Sequence, residues 1–216
     1  TIDVGYDWEL LSGEKTVMYV PGYTLVKQIK SGSPYDKYTV GSYLSPDKVR
    51  SAFQGAMQKA INGNTTPYTI LPSVHGPAIT FKVIYDENEF FNVDFVPAII
   101  VGNQWSVAKP HPKVLENPKA NEAYANYWRK SYSLDENRKL CNLPANSCHK
   151  ECLMIMKAIR LNNPSQFGMF SSYILKTTLL HMLDEFSDED DWKACMLTER
   201  VLDFLQIGRA SCRERV

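Results

Sequence analysis

The chain changes its hydrophobic rhythm once, and that change restricts the fold more than any other feature of its 216 residues. Up to about Val107 the apolar residues alternate or gather in short runs rich in β-branched and aromatic side chains, as strands require. Residues 14–20 (EKTVMYV) and 23–30 (YTLVKQIK) are two such runs, with Pro21 and Gly22 between them. Residues 78–85 (AITFKVIY) and 90–100 (FFNVDFVPAII) are two more, separated by 86–89 (DENE), and they read as an antiparallel hairpin. One helix interrupts them. Ser45 is its N-cap, Pro46 its first residue, and Val49, Phe53, Met57, Ala60 and Ile61 line one face until Asn62 and Gly63 stop it. Residues 107–121, with three prolines, read as a linker or surface strap. Beyond them the spacing predicts helices over 122–129, 148–161 and 171–186, and a last one from Trp192. The expectation is therefore an α+β chain, with a sheet-based core over residues 1–108 and a helical lobe over 109–206.

Composition sets the class. With 44% hydrophobic and 22% charged residues the chain is an ordinary soluble protein, long enough for one large domain or two modest lobes. No apolar run has the length of a bilayer span and the N-terminus carries no signal peptide, so a cytoplasmic protein without a membrane partner is expected. The last ten residues, 207–216 (IGRASCRERV), resemble the translation of a common sequencing adaptor. The natural chain is then expected to depart at Gln206 and to continue, because the apolar face of the last helix is still in progress there. Setting the tail aside removes three arginines and one glutamate from equal totals of 24, so the acidic side leads by two and no global polyanion-binding charge is visible.

Cys141, Cys148, Cys152 and Cys195 then remain, and without a secretory signal they read as reduced thiols. Cys141, Cys148, His149 and Cys152 cluster closely enough to raise zinc. The spacing lacks two Cys-x-x-Cys arms, however, and Cys152 also fits the apolar face of a helix. Asp94 poses a sharper question, since a charge in a strand buried on both faces costs several kcal/mol. Either Phe91, Val93 and Phe95 face the core while Asn92 and Asp94 face water, or Asp94 is an oxygen ligand aimed at a hard cation such as Mg²⁺.

Four segments in order, NVDFVPAI (92–99), WRKSYS (128–133), CHKECLMIMK (148–157) and SSYILKTTLLH (171–181), carry a resemblance to the male-abnormal-twenty-one domain family, and within it to the cyclic GMP-AMP synthase-like receptors. The resemblance implies a nucleotidyltransferase core, a mixed β-sheet packed against a C-terminal helical lobe, with an active-site cleft between. It implies two Mg²⁺ (or Mn²⁺) ions held by three acids, clamping the attacking hydroxyl and the leaving pyrophosphate. Asp94 takes the place of the third acid and Asp3 that of the second, so both become candidate catalytic and metal residues. Lys157, Ser171 and Ser172 resemble the residues that meet a donor triphosphate, Tyr173 the tyrosine that stacks on a base, and Arg129 and Ser131 the contacts to an acceptor base. Solvated charge for Lys157 and interface packing for Tyr173 are the plainer alternatives.

Two departures stand out. Thr1 stands in the place of the first acid, either as the natural residue with a metal ligand lost or as a ragged end of the chain, and the Gly-Ser loop that cradles the triphosphate is expected upstream of the residues present. The stretch 141–148 is short for the family's zinc-binding insertion, so no zinc is expected, and double-stranded RNA is the expected activating partner ahead of DNA. The leading expectation is a receptor that joins ATP and GTP, or other NTPs, into a cyclic dinucleotide in innate immune signalling. The alternative is a catalytically dead member acting as a nucleotide-binding or developmental scaffold. A third, an RNA-tailing enzyme of the poly(A)-polymerase kind, fits the WRKSYS and CHKEC segments poorly.

Overall fold

The computed structural model describes residues 2–12, 20–63, 67–73, 79–87, 89–117, 119 and 122–213. Thr1 and the run 14–19 lie outside the described residues. The chain divides into two units, Thr1–Tyr132 and Ser133–Val216.

The first unit opens with β1 (Ile2–Asp3), β2 (Trp8–Leu11), β3 (Tyr23–Gln28), β4 (Thr39–Val40) and β5 (Tyr43–Leu44), then α1 (Pro46–Asn62). It continues through β6 (Thr69–Ser73), β7 (Ile79–Asp86), β8 (Glu89–Phe95), β9 (Ala98–Val101) and β10 (Gln104–Val107), and closes with α2 (Pro112–Glu116) and β11 (Tyr127–Ser131). Among the described residues these strands form two sheets. The larger runs β1-β9-β10-β11-β3-β5-β4, with β2 also paired to β3, and the smaller runs β6-β7-β8. Among the described residues only the β1–β9 pair is parallel, and the other pairs are antiparallel.

Local chemistry explains where the elements stop. Ser45 caps α1, its Oγ accepting the Lys48 N–H at 3.4 Å. The β9–β10 hairpin turns at Gly102, whose φ of +58° lies in the region that only glycine enters freely. The run 90–100, expected as one strand, is two: Pro97 has no N–H to give a ladder, so β8 ends at Phe95 and the chain enters the larger sheet at Ala98. The expected hairpin is present, with Thr80 opposite Asp94 and Phe81 opposite Val93.

One helix is corrected. Residues 122–129 form a single 3₁₀ turn, Glu122–Tyr124, followed by the strand β11. Pairing on both sides, to β10 and to β3, overrides whatever helical preference the segment has. The strand buries Trp128 completely, and its indole N–H donates to the Leu44 carbonyl at 2.9 Å. Around it packs a core that includes Trp8, Val26, Leu44, Val49 and Ile99. Farther along α1, Phe53 reaches Phe95 of the smaller sheet, ring centroids 6.4 Å apart.

The second unit is helical: α3 (Ser133–Cys141), α4 (His149–Asn162), α5 (Pro164–Phe167), α6 (Ser172–Glu185) and α7 (Leu197–Arg213), with 3₁₀ turns at Glu189–Trp192 and Ala194–Met196. The expected α6 stripe is buried at Leu175, Leu179 and Met182, against Cys152 and Met156 of α4 and Phe204 of α7. Arg200 is buried too. Its guanidinium carbon sits 3.9 Å from the Phe186 ring centroid, and its Nη2 lies 3.2 Å from an Asp203 oxygen. No helix among the described residues is long and apolar enough to cross a membrane.

The Trp128 hydrogen bond gives a graded test of the first unit. Trp128→Phe keeps a ring but orphans the Leu44 carbonyl, at a cost of about 2 kcal/mol. Trp128→Ala adds a large cavity and costs about 4 kcal/mol. Urea unfolding followed by circular dichroism should return the two variants in that order.

Candidate functional site

Asp3 ends β1, beside Ile100 of β9. Its Oδ1 accepts the Gly5 N–H at 2.9 Å, a local turn that Gly5 makes feasible with φ +69°. Asp94 lies near the end of β8, where the Thr80 hydroxyl donates to its Oδ1 at 2.6 Å. Strand alternation puts Asp94 and Asn92 on the face opposite Val93 and Phe95, and its side chain is exposed, which is the water-facing arrangement.

The two carboxylates therefore stand in different sheets, and each has a local donor. No group of three His, Cys, Asp or Glu side chains suited to a metal occurs among the described residues. Asp3 and Asp94 do not by themselves compose the three-acid set a two-metal reaction needs.

Arg129 and Ser131 share one face of β11, with Arg129 opposite Val107 on one side and Tyr23 on the other. Beside them lies a strip of rings. Tyr23 tilts against His111 at 4.8 Å between centroids, and His111 stacks on Tyr124 at 4.6 Å and 22°. The Lys113 ammonium donates to the Tyr124 hydroxyl at 3.1 Å. Burial raises the Tyr23 phenol pKa despite the opposing Arg129 charge, and lowers that of His111, with Lys113 adding to the fall. Planar rings beside a guanidinium suit a nucleobase or another flat polar ligand. Sequence reasoning passes over Tyr23, His111 and Tyr124; the signal was aromatic residues within and just outside a proline-rich strap.

In the second unit, Lys157 stands on the exposed face of α4. Ser171 is the N-cap of α6, its Oγ accepting the Ile174 N–H at 3.2 Å, and Ser172 and Tyr173 are the first two helical residues. The Tyr173 ring is exposed, with the Lys176 ammonium 5.8 Å from its centroid. Free N–H groups and the dipole at this end of α6 favour an anion. The same unit holds a cavity of about 740 Å³ lined by Met156, Phe167, Phe170, Leu175 and Phe204, with Arg160 at its wall.

The Cys148–His149–Cys152 cluster is built into the packing. Burial pushes both thiols up, Cys152 to about 12, and both side chains pack with Met156, Leu179 and Trp192 in the core of this unit. His149 is 3% exposed, stacks on Trp192 at 4.0 Å, and its Nδ1 meets the Ser147 hydroxyl. Burial pushes its pKa down to about 4. The folded state thus favours neutral imidazole, whereas the unfolded chain protonates it near 6.5. The resulting stability is full above pH 6.5 and is lost as pH falls toward 4, by on the order of 3 kcal/mol. Urea unfolding at pH 7.5 and pH 4 should show this loss, and a His149→Phe variant should lose less.

A strand unit carrying an acid-bearing hairpin, followed by a helical unit, is the architecture of a nucleotidyltransferase-fold protein. Residues 5–136 match the C-terminal domain of the mitochondrial dynamics protein MID51-like family, and the chain belongs to that family. Residues 148–215 match the Mab-21 protein HhH/H2TH-like domain. The mitochondrial dynamics protein MID51 of Danio rerio is 33% identical over 94% of this chain and 43% of its own length. MID49 of Xenopus laevis is 25% identical over 92% of this chain and 43% of its own. The human inositol 1,4,5-trisphosphate receptor-interacting protein is 30% identical over 76% of this chain and 31% of its own. The chain thus spans less than half the length of these relatives. The likeness to the male-abnormal-twenty-one family holds, while the narrower likeness to cyclic GMP-AMP synthase-like receptors gives way to MID51 and MID49, proteins named for mitochondrial dynamics.

Proposed function

We propose that this chain is the catalytically inactive, nucleotide-binding core of a scaffold protein that acts in mitochondrial dynamics. The observation that carries the reading is the family match across residues 5–136, together with the likeness to MID51 and MID49 along most of the chain.

Binding needs less than catalysis. Arg129 and Ser131 with the Tyr23–His111–Tyr124 strip offer one set of contacts, and Lys157 with Ser171, Ser172 and Tyr173 at the start of α6 offers another, suited to phosphate oxygens and a purine ring. Mg²⁺ would in this reading accompany the phosphates of the nucleotide and is not required from the acids. Among the described residues Cys141, Cys148, Cys152 and Cys195 are free thiols, which suits a reducing compartment, and we place the chain in the cytoplasm.

Isothermal titration with ATP, GTP, ADP and GDP, with and without Mg²⁺, tests binding, and chromatography of NTP pairs incubated with the protein, duplex RNA and Mg²⁺ or Mn²⁺ tests catalysis. Saturable binding without turnover is the expected result, with Asp94→Asn leaving the affinity unchanged. Lys157→Ala should weaken it roughly tenfold, the worth of one charge-assisted phosphate contact. A cyclic or linear dinucleotide product that disappears in Asp94→Asn would overturn the scaffold reading and restore a synthase.

A further inference from the structure

The far end of the smaller sheet exposes more aromatic surface than a solvated hairpin needs. Phe90 and Phe91, neighbours on β8, are 52% and 51% exposed, and Tyr85 across the hairpin is 51% exposed. The Tyr85 and Phe91 rings lean on each other at 6.0 Å while remaining open to solvent. Among the described residues β8 pairs with β7 alone, so its outer edge is a seven-residue rim of backbone donors and acceptors. Edge strands are ordinarily guarded by charged side chains, lysine above all, by proline or by a bulge, and on β8 the guards are the two carboxylates Glu89 and Asp94. The sequence of β8, EFFNVDF, has neither lysine nor proline, and the irregularity of this hairpin falls in β7, between Ile84 and Asp86.

Charge says what the edge accepts. Asp86 at the end of β7, Glu87 in the turn, and Glu89 and Asp94 on β8 are all exposed. The cation at hand, Lys82, holds its ammonium 3.8 Å from the Phe90 ring centroid. A second copy of this strand would bring carboxylates against carboxylates or against phenylalanine rings. Nucleic acid and anionic lipid would meet the same repulsion.

We propose that the edge of β8 is a docking site for a protein partner that donates an extended, largely apolar segment with a basic residue at each end, added to the sheet as a fourth strand. Alternation fixes its pattern. Side chains lying beside Glu89 through Asp94 must be basic, apolar, apolar, neutral, apolar and basic, because Glu89, Phe91 and Val93 share one face while Phe90, Asn92 and Asp94 share the other. The pattern reads nearly the same in both directions, so it serves a parallel or an antiparallel strand.

The test uses the full chain and a labelled, end-capped peptide, Lys-Val-Ile-Thr-Val-Lys, in fluorescence polarisation at low and moderate salt. Saturable binding that weakens with salt is expected. The peptide with glutamate in place of both lysines, and one N-methylated at alternate backbone nitrogens, should each bind at least tenfold more weakly. Glu87→Lys with Glu89→Lys should weaken binding by a similar factor and flatten its salt dependence, and Phe91→Ala should weaken it with the salt dependence kept; melting curves check that both fold. Failure of the lysine peptide to bind overturns the proposal. So does equal binding of the glutamate peptide, or a dimer in sedimentation that Glu89→Lys leaves intact and that competes with the peptide. None of these outcomes bears on nucleotide binding, which is read separately.

Discussion

The first unit depends on one hydrogen bond made by a fully buried ring. Trp128 sits in the middle of the larger sheet, and its indole N–H donates to the carbonyl of Leu44, a residue 84 positions earlier in the chain. Bridging that separation joins β11 to the short β5 and to the start of α1, whose cap, Ser45, is the very next residue. Because an unpaired indole N–H in a dry core costs more than the bond returns, the contact selects one arrangement of these elements over near alternatives. The strips that carry Arg129 and Ser131 inherit their position from it.

How far the fold can be read from sequence follows from how local each signal is. The helix α1 is legible because Ser45 is a cap, a contact within four residues, and α6 because its apolar residues recur at helical spacing. The β7–β8 hairpin is legible from two runs and a polar turn. The strand β11 is not: Tyr127 and Trp128 pair with residues from two distant strands, and nothing within a ten-residue window reports that. The split of residues 90–100 between two sheets turns on Pro97, which marks a break but does not say that the chain changes sheets.

The candidate site divides in the same way. The residues taken over from the family pattern lie on definite elements, Lys157 on one exposed helical face and Ser171 to Tyr173 at a helix start, so their chemistry follows from residue type and place. The rings of Tyr23, His111 and Tyr124 come together only through folding of the strap and β3, and no spacing foretells a stack between residues so far apart. The particular family is less legible than the fold. The four motifs that point to a nucleotidyltransferase fold are the same ones that suggest a cyclic-dinucleotide synthase, and it is the match over residues 5–136 that separates the two readings.

Pro97 has a consequence for how this unit opens. Its carbonyl accepts the Ala108 N–H at 2.9 Å, closing the β9–β10 ladder at that end, while its missing N–H ensures that no ladder bond runs on toward β8. The larger and smaller sheets are thus continuous as a chain but interrupted as a hydrogen-bonded network, joined instead by side chains such as Phe53 against Phe95. Cooperative unfolding spreads most readily along unbroken ladders. The three-stranded sheet is accordingly a unit of local stability in its own right, free to fray from its aromatic tip without unzipping the strands that carry Asp3 and Arg129.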